Sequence, residues 1–198
     1  MYKVFFNKKP IFLINKLLMP KKDMPIIFIK FVSKDKIIKA IKSKKVKALY
    51  IYHSNDKKLW NYLFKMFPLV EAAGGLVENK NKQFLLIYRN NKWDLPKGKI
   101  EKKEKISNAA IREVMEETGV KNLTITSNLP MTYHFFNSNG TFKLKKTFWY
   151  KMKTDHLGKL TPQENEGIEL ALWKSKSDLK DIFKNAYENI KMLFESIF

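Results

Sequence analysis

Short apolar runs recur through the first 70 positions, separated by lysine-rich polar steps. Tyr2–Phe6 and Ile11–Ile14 flank Asn7-Lys8-Lys9-Pro10, the pattern of two strands joined by a turn. Pro25–Phe31 predicts another strand. Asp35–Ser43 places Ile37, Ile38 and Ile41 at helical spacing. Ala48–His53 reads as a strand and Asp56–Met66 as a helix, with Asp56 or Ser54 as its N-cap. Together these predict a small α/β unit over residues 1–70, with Pro68 marking its end.

From residue 71 the runs lengthen, and a second domain is predicted over 71–198. Glu71–Glu78 reads as a strand whose Gly74-Gly75 pair marks a bulge or a close backbone approach. Asn79–Lys82 is a turn, and Gln83–Arg89 (QFLLIYR) has the unbroken apolar character of a buried strand. Ser107–Thr118 contains good helix formers and neither Gly nor Pro. Leu123–Ser127, Met131–Asn137 and a long Phe142–Thr154 follow as strands, the last two joined by the turn Asn137-Ser138-Asn139-Gly140. After a polar loop, Leu160–Gly167, come a strand at Ile168–Lys174 and helices at Ser177–Lys184 and Ala186–Phe198. This alternation predicts an α/β fold.

Composition narrows the chemistry. The 198 residues are 44% hydrophobic and 14% aromatic, enough for a packed core. There is no cysteine, which excludes disulfides, zinc–thiolate sites and cysteine nucleophiles and fits a reducing, cytoplasmic setting. No apolar run reaches the length of a membrane span, so no membrane partner is expected. The formal charge of +20 admits a nucleic-acid partner. Against that, 37 of the 39 basic residues are lysines, and they read as scattered along the chain, which favours compositional bias. The two exceptions, Arg89 and Arg112, suggest places where a planar bidentate donor is needed.

One stretch reverses the charge. Gly98–Val120 contains Glu101, Glu104, Glu113, Glu116 and Glu117. On a helix at about 100° per residue, Glu113, Glu116 and Glu117 share roughly a 100° sector. Ile111, Val114, Met115 and Thr118 lie opposite and are expected to face a core, and Gly119 is placed to cap the helix in the left-handed conformation. Like charges three and four apart destabilise a helix. Either the face is simply solvated, or a hard cation with oxygen ligands sits there. Mg²⁺ is the usual choice beside phosphate, with Mn²⁺ an alternative.

The full spacing decides between these. Gly98, five residues, Glu104, seven residues, Arg112-Glu113-Val114, one residue, Glu116-Glu117, one residue, Gly119-Val120 resembles the signature of the Nudix hydrolases, the MutT-like pyrophosphohydrolases, at every defined position. The lead-in Trp93, Leu95-Pro96-Lys97-Gly98 resembles the same family. The resemblance covers about residues 71–198 and leaves 1–70 outside it. It implies a Nudix α/β/α sandwich with a mixed sheet, preceded here by the small α/β unit. It also implies metal-dependent cleavage of a phosphoanhydride in a nucleoside diphosphate-linked compound.

By the same resemblance Glu113, Glu116 and Glu117 are metal ligands, joined by the Gly98 carbonyl. Glu104 and Arg112 form a brace between loop and helix, and Lys97 lies beside the phosphates. A glutamate of the late loop assists, Glu166 being favoured over Glu164. By position Arg89 is a candidate for binding the pyrophosphate, and Tyr133, sharing a strand face with Phe135, for stacking on a base. Lys143, Lys145, Lys146 and Lys151 lean the substrate weakly toward a nucleoside triphosphate or a dinucleoside polyphosphate. The alternatives are a nucleotide-sensing domain without catalysis, or an enzyme or binding protein acting on RNA 5′ ends. Residues 1–70 leave a homodimerising or substrate-shaping role open.

Overall fold

The computed structural model describes residues 1–197. They form two compact units: Met1–Val70 with Tyr133–Lys146, and Glu71–Thr132 with the residues from Thr147 onward.

In the first unit, β1 (Tyr2–Phe6) and β2 (Lys9–Ile14) form an antiparallel hairpin with Val4 opposite Ile11. Next come β3 (Ile26–Phe28), α1 (Lys34–Lys42), β4 (Leu49–Tyr52) and α2 (Asp56–Met66). β4 lies parallel between β2 and β3, and β1 pairs in parallel with Tyr133–His134 on its other edge. Alternate residues Val4, Ile11, Leu13, Leu49 and Ile51 point to one face. There they bury against Ile37 and Ile41 of α1, Leu59 and Leu63 of α2, and Phe135, Phe142 and Leu144. Pro25–Phe31 departs from a single strand: pairing stops at Phe28, and Ile29–Phe31 turn into a 3-10 helix that buries Ile29 in this core. The N-cap of α2 is Asn55, whose side chain accepts from the Lys58 N–H at 2.9 Å, rather than Asp56 or Ser54. Asn55 is the last extended residue before the helix, the position from which a side chain reaches those free donors. The end of α1 is closed by Lys9, whose Nζ donates to the Ile41 and Ser43 carbonyls at 2.6 Å each.

The chain continues through β5 (Leu69–Asn79), β6 (Phe84–Arg89), β7 (Lys92–Asp94), β8 (Lys97–Lys99), α3 (Ile106–Thr118), β9 (Thr124–Ser138), β10 (Thr141–Thr154), β11 (Ile168–Lys174), α4 (Leu179–Ile182) and α5 (Glu188–Glu195), which form the second unit except for Leu69–Val70 and the Tyr133–Lys146 portions of β9 and β10. The strand order is β11-β6-β5-β10-β9, with β7 on β6 and β8 on β5. Side chains alternate between two cores. Ala73, Val77 and Leu85 pack under Ala109, Ala110 and Val114 of α3. Leu76, Phe84, Leu86 and Trp149 pack under α4 and α5 through Leu179, Ile182, Ile190, Leu193 and Phe194. A sheet covered on both faces explains the unbroken apolar run of β6. The result is an α/β/α sandwich.

Three boundaries differ from the sequence reading. Leu123–Ser127 and Met131–Asn137 merge into the single strand β9. It carries Pro130 at the edge of this unit's strand order, where a missing N–H is tolerated. The helix expected at Ser177–Lys184 shrinks to α4 plus a 3-10 turn over Phe183–Asn185. Ala186 is extended (φ −100°, ψ 162°), so the last helix starts only at Glu188, and its expected end at Phe198 lies outside the described residues. Among the described residues no helix is long and apolar enough to cross a membrane.

Candidate active site

Helix α3 and the short strand β8 build the site. Gly119 ends α3 with φ 70°, its N–H donating to the Met115 carbonyl at 2.8 Å. The buried stripe of α3 is Ala109, Ala110, Glu113, Val114, Glu117 and Thr118, so two of the carboxylates lie on the core side. This corrects the expected apolar sector: Val114 and Thr118 are buried, Ile111 is half-buried, and Met115 is 41% exposed. The helix is rotated toward β8 because β8 offers polar partners and, at Gly98, room. A Cβ on Gly98 would lie only 1.8 Å from Glu113 Oε2. The solvated-face reading holds for Glu116 alone, whose side chain is 48% exposed.

Glu117 is fully buried. One of its oxygens accepts from the Lys97 N–H at 2.8 Å and the other from Arg89 Nη1 at 3.2 Å. Burial nevertheless raises its pKa to about 7, against the pull of Lys97 and Arg89. Burial also raises that of Glu113, opposed by Arg112.

Arg112 is the hub of the exposed side. Its Nε and Nη2 grip Glu104 bidentately at 2.8 and 2.9 Å, and Nη2 also donates to the Lys99 carbonyl at 3.1 Å. Its Nη1 donates to both Glu113 Oε1 (2.8 Å) and Glu116 Oε2 (2.9 Å). The guanidinium fork brings the Glu104 carboxyl down to about 2.

The other candidates are placed as follows. Lys97 does not reach outward for phosphate: its side chain is buried and its ammonium pairs with Asp94. In a low-dielectric pocket an ammonium needs a counter-charge, and Asp94 supplies one three residues away. Sequence reasoning passed over Asp94, which also lies 3.6 Å from Arg89 Nη2. The available signal was an acid inside the Trp93–Gly98 lead-in, three positions before a lysine. Arg89, at the end of β6, is drawn inward onto Glu117 and Asp94. Glu164 and Glu166 lie exposed on a 3-10 turn before β11. Their loop docks on the end of α3 through Thr161 N–H to the Thr118 carbonyl (2.8 Å) and Gln163 N–H to the Glu117 carbonyl (3.2 Å). The charge of Glu166 acts on both Glu113 and Arg89. Tyr133 belongs to the other unit, where its ring packs 4.8 Å from Trp60.

The donor set suits a hard cation in part. Glu113 and Glu116 already close around one positive centre, the Arg112 Nη1. Glu117, on the same buried stripe as Glu113, is held instead by the Lys97 N–H and Arg89 Nη1, and among the described residues no three acidic or histidine side chains converge on a single point. A cation shared by all three would draw their carboxylates together from these positions.

The NUDIX domain model matches residues 68–194. The chain belongs to the Nudix family. It is a Nudix hydrolase, and members of this family act on small nucleotide substrates. A 51-residue segment is 44% identical to a Bacillus subtilis (strain 168) protein described as "Putative 8-oxo-dGTP diphosphatase". That match spans 25% of this chain and only 34% of the relative's length. The MutT Nudix hydrolase of Burkholderia pseudomallei superposes with a TM-score of 0.52 at 21% identity, covering 66% of this chain and 98% of that one. The Ap4A hydrolase of C. elegans, solved as a binary complex, gives 0.50 at 24%, covering 65% and 94%. At these identities the likeness concerns the fold.

Proposed function

We propose that this Nudix hydrolase cleaves a phosphoanhydride bond in a nucleoside diphosphate-linked compound, of the nucleoside triphosphate class. The cation, Mg²⁺ or Mn²⁺, would be held by Glu113, Glu116, Glu117 and the Gly98 carbonyl. The observation that carries the reading is the seating of two signature carboxylates on β8: Glu113 against the bare Cα of Gly98, and Glu117 on the Lys97 N–H. Bound there, the cation would polarise phosphoryl oxygens and lower the pKa of coordinated water.

The chain's own residues do the rest. Water attacks one phosphorus, the bridging P–O bond breaks, and the leaving phosphate departs with the bonding pair. Glu166, exposed on the docked loop and close enough in charge to act on Glu113, takes the proton from the water. Arg112 holds Glu104 and Lys99 together and so keeps the β8 loop closed on the helix. Asp94 neutralises Lys97 and leaves its N–H to orient Glu117.

The local 44% match supports the triphosphate class. Lysine lining does not, because Lys143, Lys145 and Lys146 belong to the other unit and Lys151 lies 3.8 Å from Glu78. The test is a panel of nucleoside di- and triphosphates, dinucleoside polyphosphates and sugar nucleotides with Mg²⁺ or Mn²⁺, reading phosphate, pyrophosphate and nucleotide products. Turnover that Glu116→Gln and Glu117→Gln abolish is expected. No turnover of any compound with either metal would refute the reading.

A further inference from the structure

The positive charge is not scattered once the chain is divided as it folds. The unit Met1–Val70 with Tyr133–Lys146 carries 20 lysines against three aspartates, with neither arginine nor glutamate, a net +17. The other unit balances 19 basic residues with 16 acidic ones. A uniform compositional bias would load both alike.

One face of the first unit's sheet is open in part: Phe5 and Ile14 are buried there, while Lys3, Phe12, Tyr50, Tyr52 and Phe28 reach solvent. The helices pack on the opposite face, which holds Val4, Ile11, Leu13, Leu49 and Ile51. Intervening residues point the other way, and the strand registers set Phe12 opposite Tyr50 and Tyr52 opposite Phe28. A solvent-facing sheet surface is ordinarily polar. Here adjacent strands carry half-buried rings in pairs. Phe12 and Tyr50 stack at 5.2 Å and 22°, and Phe28, 45% exposed, meets Tyr52 edge-on at 5.2 Å. Lys3 lies across from Phe12 on this face.

We propose that this face binds single-stranded nucleic acid, with bases stacked on the Phe12, Tyr50, Tyr52 and Phe28 rings and phosphates drawn by Lys3 and the strong positive charge of the unit. Flat rings on a unit of net +17 suit a chain that offers both π-faces and one negative charge per nucleotide. A duplex hides its base faces. Self-association through the face would bring two surfaces of +17 together, which charge repulsion opposes. The inference stands on the first unit and does not depend on the hydrolytic reading.

The test uses the full chain in EDTA, so that binding is read without turnover. Fluorescence anisotropy follows a fluorescein-labelled 12-nucleotide oligo-U, its duplex with oligo-A, and vesicles of phosphatidylglycerol. Oligo-U binding is expected to weaken with salt at a log–log slope steeper than about −2, reflecting three or more phosphate contacts. Tyr50→Leu and Phe12→Leu should each weaken it about tenfold, while Tyr50→Phe retains it. Glu117→Gln should bind as the wild type does, which separates this outcome from failure of the hydrolytic reading. Any of four results would overturn the proposal: no oligo-U binding at 0.1 M salt, equal or tighter duplex binding, indifference to both leucine variants, or vesicle binding without oligonucleotide binding. A dimer that Tyr50→Leu dissociates is a fifth such result and would assign the face to a second copy.

Discussion

Replacing Gly98 by alanine adds one methyl group at the narrowest point of the site. The new Cβ would meet Glu113 Oε2 at 1.8 Å, Cδ at 2.2 Å and Oε1 at 2.6 Å, whereas ordinary contact begins near 3.4 Å. The carboxylate must therefore withdraw by about 1.6 Å, the step from 1.8 to 3.4 Å. That movement breaks its 2.8 Å bond to Arg112 and leaves Glu113 misplaced relative to Glu116. A misplacement of about 1 Å costs on the order of 100-fold in rate, so kcat/KM should fall at least that far, equivalent to about 2.7 kcal/mol. Stability should change little. Alanine gains about 0.5–1 kcal/mol over glycine inside a strand, which partly offsets the weakened charge-assisted bond. The assay is steady-state hydrolysis of the best substrate from the nucleotide panel, with a metal titration and a melting curve. Gly98→Ala combined with Glu113→Ala removes the clash, so it should melt no lower than Gly98→Ala and stay inactive. Turnover by Gly98→Ala within threefold of wild type, at the same metal requirement, would refute the proposed closeness of Gly98 and Glu113.

Four further outcomes are expected. Arg112→Lys loses the bidentate grip on Glu104 and should cost about 1 kcal/mol in stability after solvent screening, with a larger proportional loss of activity; denaturant melts and kinetics check both. Asp94→Ala strands the buried Lys97 ammonium and should destabilise by about 3 kcal/mol or more, measured by urea unfolding. Gly119→Ala forces a side chain into φ 70° with its Cβ 3.1 Å from Thr161, and should cost about 1–2 kcal/mol in the same measurement. The pH behaviour of the metal-free protein has two windows. A carboxyl raised to about 7 when folded binds its proton more tightly than in the unfolded chain, so the Glu117 contribution falls as pH rises from the ordinary carboxylate range to about 7. Glu104, brought down to about 2, contributes in the opposite sense, losing its stabilisation as pH falls below the ordinary range. The melting temperature of Glu117→Gln should therefore gain on wild type between pH 5 and 8, and wild-type metal affinity should rise over the same interval; a constant difference would contradict the buried, protonatable Glu117.

Much of this was legible in the chain because it is local. Helix α3, its Gly119 cap and the placing of Glu113, Glu116 and Glu117 on that one helix follow from spacing within 13 residues. Strands β1, β2, β4, β6 and β11 follow from apolar runs bounded by turns. What escaped depends on partners distant in sequence. The rotation that buries Glu113 and Glu117 is set by β8, some 15 to 20 residues earlier, and the inward turn of Lys97 by Asp94. Neither follows from a periodicity that treats carboxylates as outward-facing. The membership of Tyr133 in the first unit, and with it the segregation of charge, depends on a pairing across some 130 residues between β1 and β9. The short strands β7 and β8 escaped because three residues carry no period.

The discontinuity of the first unit governs how the chain is born. Its core needs Phe135, Phe142 and Leu144, yet its other members end at Phe67. At about 5–20 residues per second, the ribosome takes roughly 4–15 s between releasing Val70 and Lys146. During that interval β1 has an open edge on its Tyr133 side and the N-terminal half-core is unsealed. The unit made first thus closes only after much of the catalytic domain, including α3, has been synthesised. Its high positive charge, by keeping nascent chains apart, guards that waiting edge against aggregation.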